Sequence, residues 1–126
     1  MKKIINTESA PAPIGPYNQA VKSGHLLYTS GQIPLDPKTG IMVAGGIREQ
    51  SIQVLENLKA VAEAADCTLD DAIKTTVFLT DMNDFPEFNT VYAEYFGETN
   101  APARSTIQVA ALPKGALIEI ELIAKI

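Results

Sequence analysis

Two short stretches hold residue types that can do chemistry, Pro102-Ala103-Arg104-Ser105-Thr106 and Leu117-Ile118-Glu119-Ile120-Glu121. An arginine fixed in a strand-forming segment is the preferred anchor for a planar carboxylate, because its rigid fork of donors matches two oxygens. Glu119 alternates with Ile118 and Ile120, so on a strand it points away from the apolar face. Each residue also has a plainer reading. An arginine on a strand is usually a solvated edge residue or half of an ion pair, and a glutamate there is usually a surface acid. From the residue alone, the plainer reading of Arg104 stands first.

Other chemistries lack their residues. His25 is the only histidine and follows Gly24 at a strand start, the place of a solvated or edge side chain. Cys67 is the only cysteine, so no Cys/His zinc pattern exists. A Ser-His-Asp arrangement would depend on His25 alone, with no G-x-S-x-G elbow. There is no P-loop and no G-x-G-x-x-G, and Gly45-Gly46 reads as a turn before a helix. Cys67 has no cationic neighbours in its own stretch to activate the thiol. Asp70-Asp71 and the segment Asp81 to Asp84 lack calcium-loop spacing and read as capping or surface acids. No metal and no organic cofactor is expected.

The elements that must position these residues come from a chain of 126 residues, 46% of them apolar, enough for one domain with its own core. A net charge of -5 does not suggest a general nucleic-acid binder, which usually carries a basic footprint. A single cysteine excludes an intrachain disulfide and points to a reducing compartment, the cytoplasm. Met1-Lys2-Lys3-Ile4-Ile5 is too short an apolar run for a signal peptide, and no stretch approaches a membrane span.

Residues 2 to 6 read as a first strand. Ala10 to Pro16 holds three prolines and a glycine, so it is an extended loop leading to Tyr17. Strands are expected over Asn18 to Lys22 and Leu26 to Ser30, turned by Ser23-Gly24. Apolar residues recur at helical spacing from 47 to 65 (Ile47, Leu55, Leu58, Val61, Ala62) and predict the first helix. A β-branched strand follows over Ile73 to Thr80. Asn83 or Asp84 then fits an N-cap and Pro86 the first turn of a second helix, with Phe85, Phe88, Tyr92, Tyr95 and Phe96 as its buried stripe and Gly97 as its stop. Strands over Ala103 to Val109 and Leu117 to Lys125 complete the order β-β-β-α-β-α-β-β. One mixed sheet with both helices on one face is expected, an α+β fold. Its other face would be half polar (Lys74, Thr76, Phe78, Thr80, Glu119, Glu121, Ile123, Lys125). Such a face meets water or a wet interface with a neighbouring subunit.

At this point the sequence resembles a known family, the Rid family of imine deaminases, also called YjgF. The carriers are Ile14-Gly15-Pro16-Tyr17, Ser30-Gly31-Gln32-Ile33-Pro34, Lys74-Thr75-Thr76-Val77-Phe78, the segment around Asn89, Pro102-Ala103-Arg104-Ser105 and Ile118-Glu119-Ile120-Glu121. Each is weak alone; together, in this order and spacing, they are specific. They cover nearly the whole chain, a single domain over residues 1–126, and match best the archetypal RidA subgroup that has both the arginine and the glutamate. The resemblance implies a fold like that of the small trimeric chorismate mutase, and a homotrimer with a cleft at each subunit interface. It implies the substrates 2-iminopropanoate and 2-iminobutanoate, reactive imine/enamine intermediates released by pyridoxal-phosphate-dependent dehydratases. Arg104 would hold the carboxylate, the backbone N–H of Thr106 would add a donor, and Glu119 would position the attacking water. Tyr17, Ser30, Gly31 and Asn89 would line the cleft, some of them from the adjacent subunit. Many relatives carry cysteine where Thr106 stands. The backbone donor survives that change, but no thiol remains there for redox regulation.

The implied reaction is one these residues can carry. Water adds to C2 of an imine to give a carbinolamine, which expels ammonia. Holding substrate and water together can be worth up to ~7–11 kcal/mol, and a positioned carboxylate adds roughly 10²–10⁴-fold. Two rivals remain open at this level. One is a ribonuclease or translation inhibitor, an activity also attributed to the family, against which stand the acidic charge and the lack of a histidine pair. The other is a non-catalytic module that binds small carboxylates in the same cleft as a regulator or chaperone.

Overall fold

The computed structural model describes all 126 residues. Strands β1 (Lys2–Ile5), β2 (Ala20–Ser23) and β3 (Leu26–Thr29) come first, then helix α1 (Ile47–Ala64), β4 (Ala72–Leu79), α2 (Phe85–Phe96), β5 (Ala103–Gln108) and β6 (Ile118–Lys125). They form one six-stranded sheet in the order β1-β2-β3-β6-β4-β5. Every pairing is antiparallel except β4 with β5, which run parallel because α2 carries the chain back across the sheet. The expected α+β architecture, one mixed sheet and two helices, is the one observed.

Alternation along the strands sorts the side chains. Val77, Leu79, Ile118, Ile120, Leu122 and Ala124 are buried in one cluster with Val54, Leu55, Leu58 and Val61 of α1 and Phe88, Val91, Tyr92 and Phe96 of α2. Both helices therefore cover one face. Burial of each such side chain stabilises by about 1.5–3 kcal/mol, which makes this layer the main source of stability. On the opposite face Tyr28 and Ile107 are exposed, Phe78, Glu119 and Ile123 are half-buried, and Lys74 Nζ donates to Ser105 Oγ at 2.9 Å.

One expectation needs correction. The strand read over Asn18 to Lys22 begins only at Ala20. Asn18 and Gln19 are tied instead by side-chain bonds to residues a dozen or so positions away (Asn6 Nδ2 donates to Asn18 Oδ1 at 3.1 Å), which no local pattern reveals, although Gln19 O still accepts from Ser30 N–H at 2.9 Å. The N-cap of the second helix falls at Asp84, one of the two positions expected, but its side chain makes no capping bond; Asp81 caps the preceding turn, accepting from Asn83 N–H at 2.8 Å. Gly97, at φ 69°, ends α2 as expected.

Candidate active site

The acid half of the site is built from β6, the end of β3 and the proline-rich loop. Glu119 lies between buried Ile118 and Ile120 and pairs with Phe78, so it projects on the face away from the helices. Just beyond β3, Gln32 forms an antiparallel bridge to Ile120, its N–H reaching Ile120 O at 2.8 Å and Ile120 N–H returning to Gln32 O at 3.2 Å. That bridge seats Gly31 directly against the Glu119 side chain. A Cβ on Gly31 would lie 2.6 Å from the Glu119 carboxyl carbon and overlap one carboxylate oxygen, so any larger residue there would displace the Glu119 side chain.

Ile14, Tyr17, Ser30, Gly31 and Pro113 enclose a cleft of about 380 Å³ with Glu119 on its wall. Ser30 is fixed by its Oγ–H to Asn18 O at 2.5 Å and its N–H to Gln19 O at 2.9 Å. Tyr17 Oη accepts from Ile14 N–H at 3.2 Å. Burial, reinforced by the like charge of Glu121 two residues on, raises the pKa of Glu119 above the usual carboxylate range. No cation within salt-bridge distance compensates it; the chain's one ion pair joins Arg48 and Glu94.

Gln19 holds this wall in place and was not singled out by sequence reasoning. It is 2% exposed. The two N–H groups of its Nε2 are shared among the carbonyls of Thr7, Ala10 and Pro11 at 2.9, 3.2 and 2.8 Å, and its Oε1 accepts from Thr7 N–H at 2.6 Å. Prolines cannot donate backbone hydrogen bonds, so a loop made of them has few ties of its own. One buried amide supplies them. A glutamine three residues after a proline-rich turn is the signal that would have found it.

The arginine half lies elsewhere. Arg104 on β5 pairs with Thr75, whose side chain faces the helices, and its guanidinium carbon stands 4.7 Å from the Tyr92 ring centroid, 5.4 Å from Phe85 and 5.5 Å from Phe88. Thr106, two residues on, shares that face; its Oγ1 is buried with no hydrogen-bond partner. β5 is an edge strand. Val109 N–H turns inward to Leu79 O at 2.8 Å, so by the alternation of the ladder the N–H of Thr106 points off the free edge. Asn89, half-buried, is one helical turn from Phe85 on α2.

Within one chain, then, Tyr17, Ser30, Gly31 and Glu119 come together, and Arg104 and Thr106 come together beside α2, which carries Asn89. The two groups are on opposite faces of the sheet. A carboxylate and a guanidinium are both present and both without an ion-pair partner, and one chain does not bring them together.

Comparison with known proteins follows the same lines. The endoribonuclease L-PSP family profile matches residues 7–126. A RutC family protein of Pyrococcus horikoshii is 60% identical over 124 residues, 98% of each chain. A protein of Salmonella typhimurium named 2-iminobutanoate/2-iminopropanoate deaminase is 55% identical, with 98% of each chain covered. The crystal structure of a Rid family protein of unknown function from Yersinia pestis superposes with a TM-score of 0.97 over the full length of both chains, at 50% identity.

Proposed function

The chain belongs to the endoribonuclease L-PSP family, which is the Rid or YjgF family, and from that premise we propose that it hydrolyses small 2-imino acids, 2-iminopropanoate and 2-iminobutanoate, to 2-keto acids and ammonia. One observation carries this reading: Glu119 is a half-buried carboxylate with raised pKa and no counter-cation, set in a cleft with Gly31 packed directly against its carboxylate. Such a group is suited to take a proton from water and return it.

In the reaction, the ionised Glu119 takes a proton from water as the water oxygen bonds to C2 of the protonated imine and the C=N π electrons move to nitrogen. The neutral carbinolamine then receives that proton on its amine. The C–N bond breaks with its electrons leaving on ammonia, the hydroxyl oxygen forms the carbonyl, and its proton leaves with the ammonia. Arg104 and the outward N–H of Thr106 hold the carboxylate throughout. Tyr17, Ser30, Gly31 and Asn89 line the cleft.

The two halves join if Arg104 and Thr106 of one subunit meet Glu119 of the next, in a homotrimer with a cleft at each interface. Support comes from the position of β5 at the sheet edge and from the unpaired open face beside Glu119. No helix is long and apolar enough to cross a membrane, and a lone buried Cys67 suits action in the cytoplasm.

The test is a coupled assay. A threonine dehydratase generates the imine in the presence of semicarbazide, and semicarbazone formation is followed with and without the protein. Suppression of semicarbazone by wild type and not by Glu119→Gln is expected; no effect of wild type on any small aliphatic imine would contradict the proposal. The name of the family profile also favours a second reading, ribonuclease. Degradation of RNA by pure protein, lost in Arg104→Ala, would establish that instead.

A further inference from the structure

Arg104 has a full positive charge and no carboxylate beside it. Its guanidinium makes no salt bridge and no hydrogen bond within the chain, yet it is held among three rings of α2. The rings are themselves fixed. Phe85 and Phe88 stand 6.4 Å apart, Phe88 and Tyr92 5.3 Å, and Tyr92 and Phe96 4.5 Å. The Tyr92 hydroxyl is within 2.6 Å of Thr75 Oγ1, and Thr75 is the register partner of Arg104 on the neighbouring strand. Backbone ladder, hydroxyl bond and ring contact thus close a circuit that begins and ends at Arg104.

We propose that Phe85, Phe88 and Tyr92 are positioning residues, a cradle of π faces that fixes the Arg104 guanidinium while leaving its donors unoccupied for a substrate carboxylate. A flexible arginine on an edge strand would otherwise lose rotamer freedom each time it bound. Acidic neighbours would also fix it, but they would occupy the same fork that must receive the ligand. Ring faces attract the cation through their quadrupole and use none of its N–H groups. The aromatic stripe of α2 therefore does more than fill the core. It sets the orientation of the anion site.

This inference rests on the reading of Arg104 as the carboxylate anchor, and its test separates the two. In wild type the Arg104 Nε–H proton, assigned by its loss in Arg104→Lys, is expected upfield of ordinary arginine positions through ring currents. Absence of that shift overturns the cradle whatever the protein catalyses. Phe85→Leu, at the partly exposed rim, and Tyr92→Leu should weaken binding of 2-oxobutanoate and raise KM roughly tenfold, as expected for loss of a partly desolvated cation–π contact, with kcat changed much less. Tyr92→Phe keeps the ring and should keep near-normal KM and most of the upfield shift. Wild-type KM in a folded Phe85→Leu or Tyr92→Leu variant overturns the proposal. A wild-type protein with the shift but no imine hydrolysis would leave the cradle standing and remove the deaminase reading.

Discussion

Gly31 packs so closely against the carboxylate of Glu119 that the acid would have to move to admit a side chain: an added Cβ would be 2.6 Å from Glu119 Cδ and 2.9 Å from Cγ. The backbone of Gly31 is thus one wall of the acid's pocket, held there by the Gln32–Ile120 bridge. Gly31→Ala should push the Glu119 side chain out of its cleft. Turnover should fall by at least tenfold while circular dichroism stays that of the wild type, because Gly31 is at the cleft surface and has ordinary backbone angles. Unchanged turnover would mean that the Glu119 position is not critical.

The raised pKa of Glu119 has consequences of definite sign. The base form is needed for attack by water, so kcat/KM should fall on acidification through a limb above the ordinary carboxylate range. Glu121→Gln removes the like charge and should move that limb to lower pH. For stability, the folded protein holds the Glu119 proton more tightly than the unfolded chain. Its contribution is present below the unfolded pKa, about 4.3, and is lost as pH rises through the folded value. Glu119→Gln should therefore raise the melting temperature at pH 7 and have little effect near pH 4. Equal shifts at both pH values would contradict a raised pKa.

Gln19 makes four hydrogen bonds to the loop that presents Ile14 and Tyr17. Gln19→Leu fills much the same volume but leaves buried carbonyls and an N–H without partners, each such group costing ~1–3 kcal/mol. The variant should melt lower, show faster proteolytic cleavage between residues 10 and 16, and have a raised KM. Loss of stability with unchanged KM in the folded fraction would confine Gln19 to folding.

Arg104→Ala should abolish useful activity and leave the fold intact, since the side chain makes no hydrogen bond within the chain. Arg104→Lys should be nearly as damaging, because a compact ammonium cannot reproduce a two-pronged fork. Wild-type turnover in either variant would remove the anchor role. In the proposed role the fork reads only the carboxylate, and one methylene in an apolar pocket discriminates by just ~1–3 kcal/mol, so several small aliphatic imines should be substrates. The imine of aspartate should be poor; rates for it equal to those for the imine of alanine would contradict that.

Both helices and the succession of elements along the chain were legible because their signals are local: apolar spacing from 47 to 65, β-branched residues from 73 to 80, Gly97 as a stop. The outward aim of Glu119 was legible from simple alternation. Its separation from Arg104 was not, because that depends on two registers at once, Thr75 with Arg104 and Phe78 with Glu119. Gln19 was read as part of a strand since its partners are eight to twelve residues away. Tyr92 was read as core, which it is, but its tie to Thr75 and its place beside Arg104 arise only once α2 is laid on β4 and β5.

The most direct test of the split site is complementation between two inactive variants. Arg104→Ala and Glu119→Ala chains, carrying different tags, are produced together, the mixed oligomers are isolated, and imine hydrolysis is measured by suppression of the semicarbazone. In a cyclic trimer that holds both kinds of chain, about one third of the interfaces, one of the three, would pair an intact Arg104 with an intact Glu119. Activity near that fraction of wild type, with none in either variant alone, is the predicted result. Mixed oligomers as inactive as the separate variants would contradict a site shared between subunits.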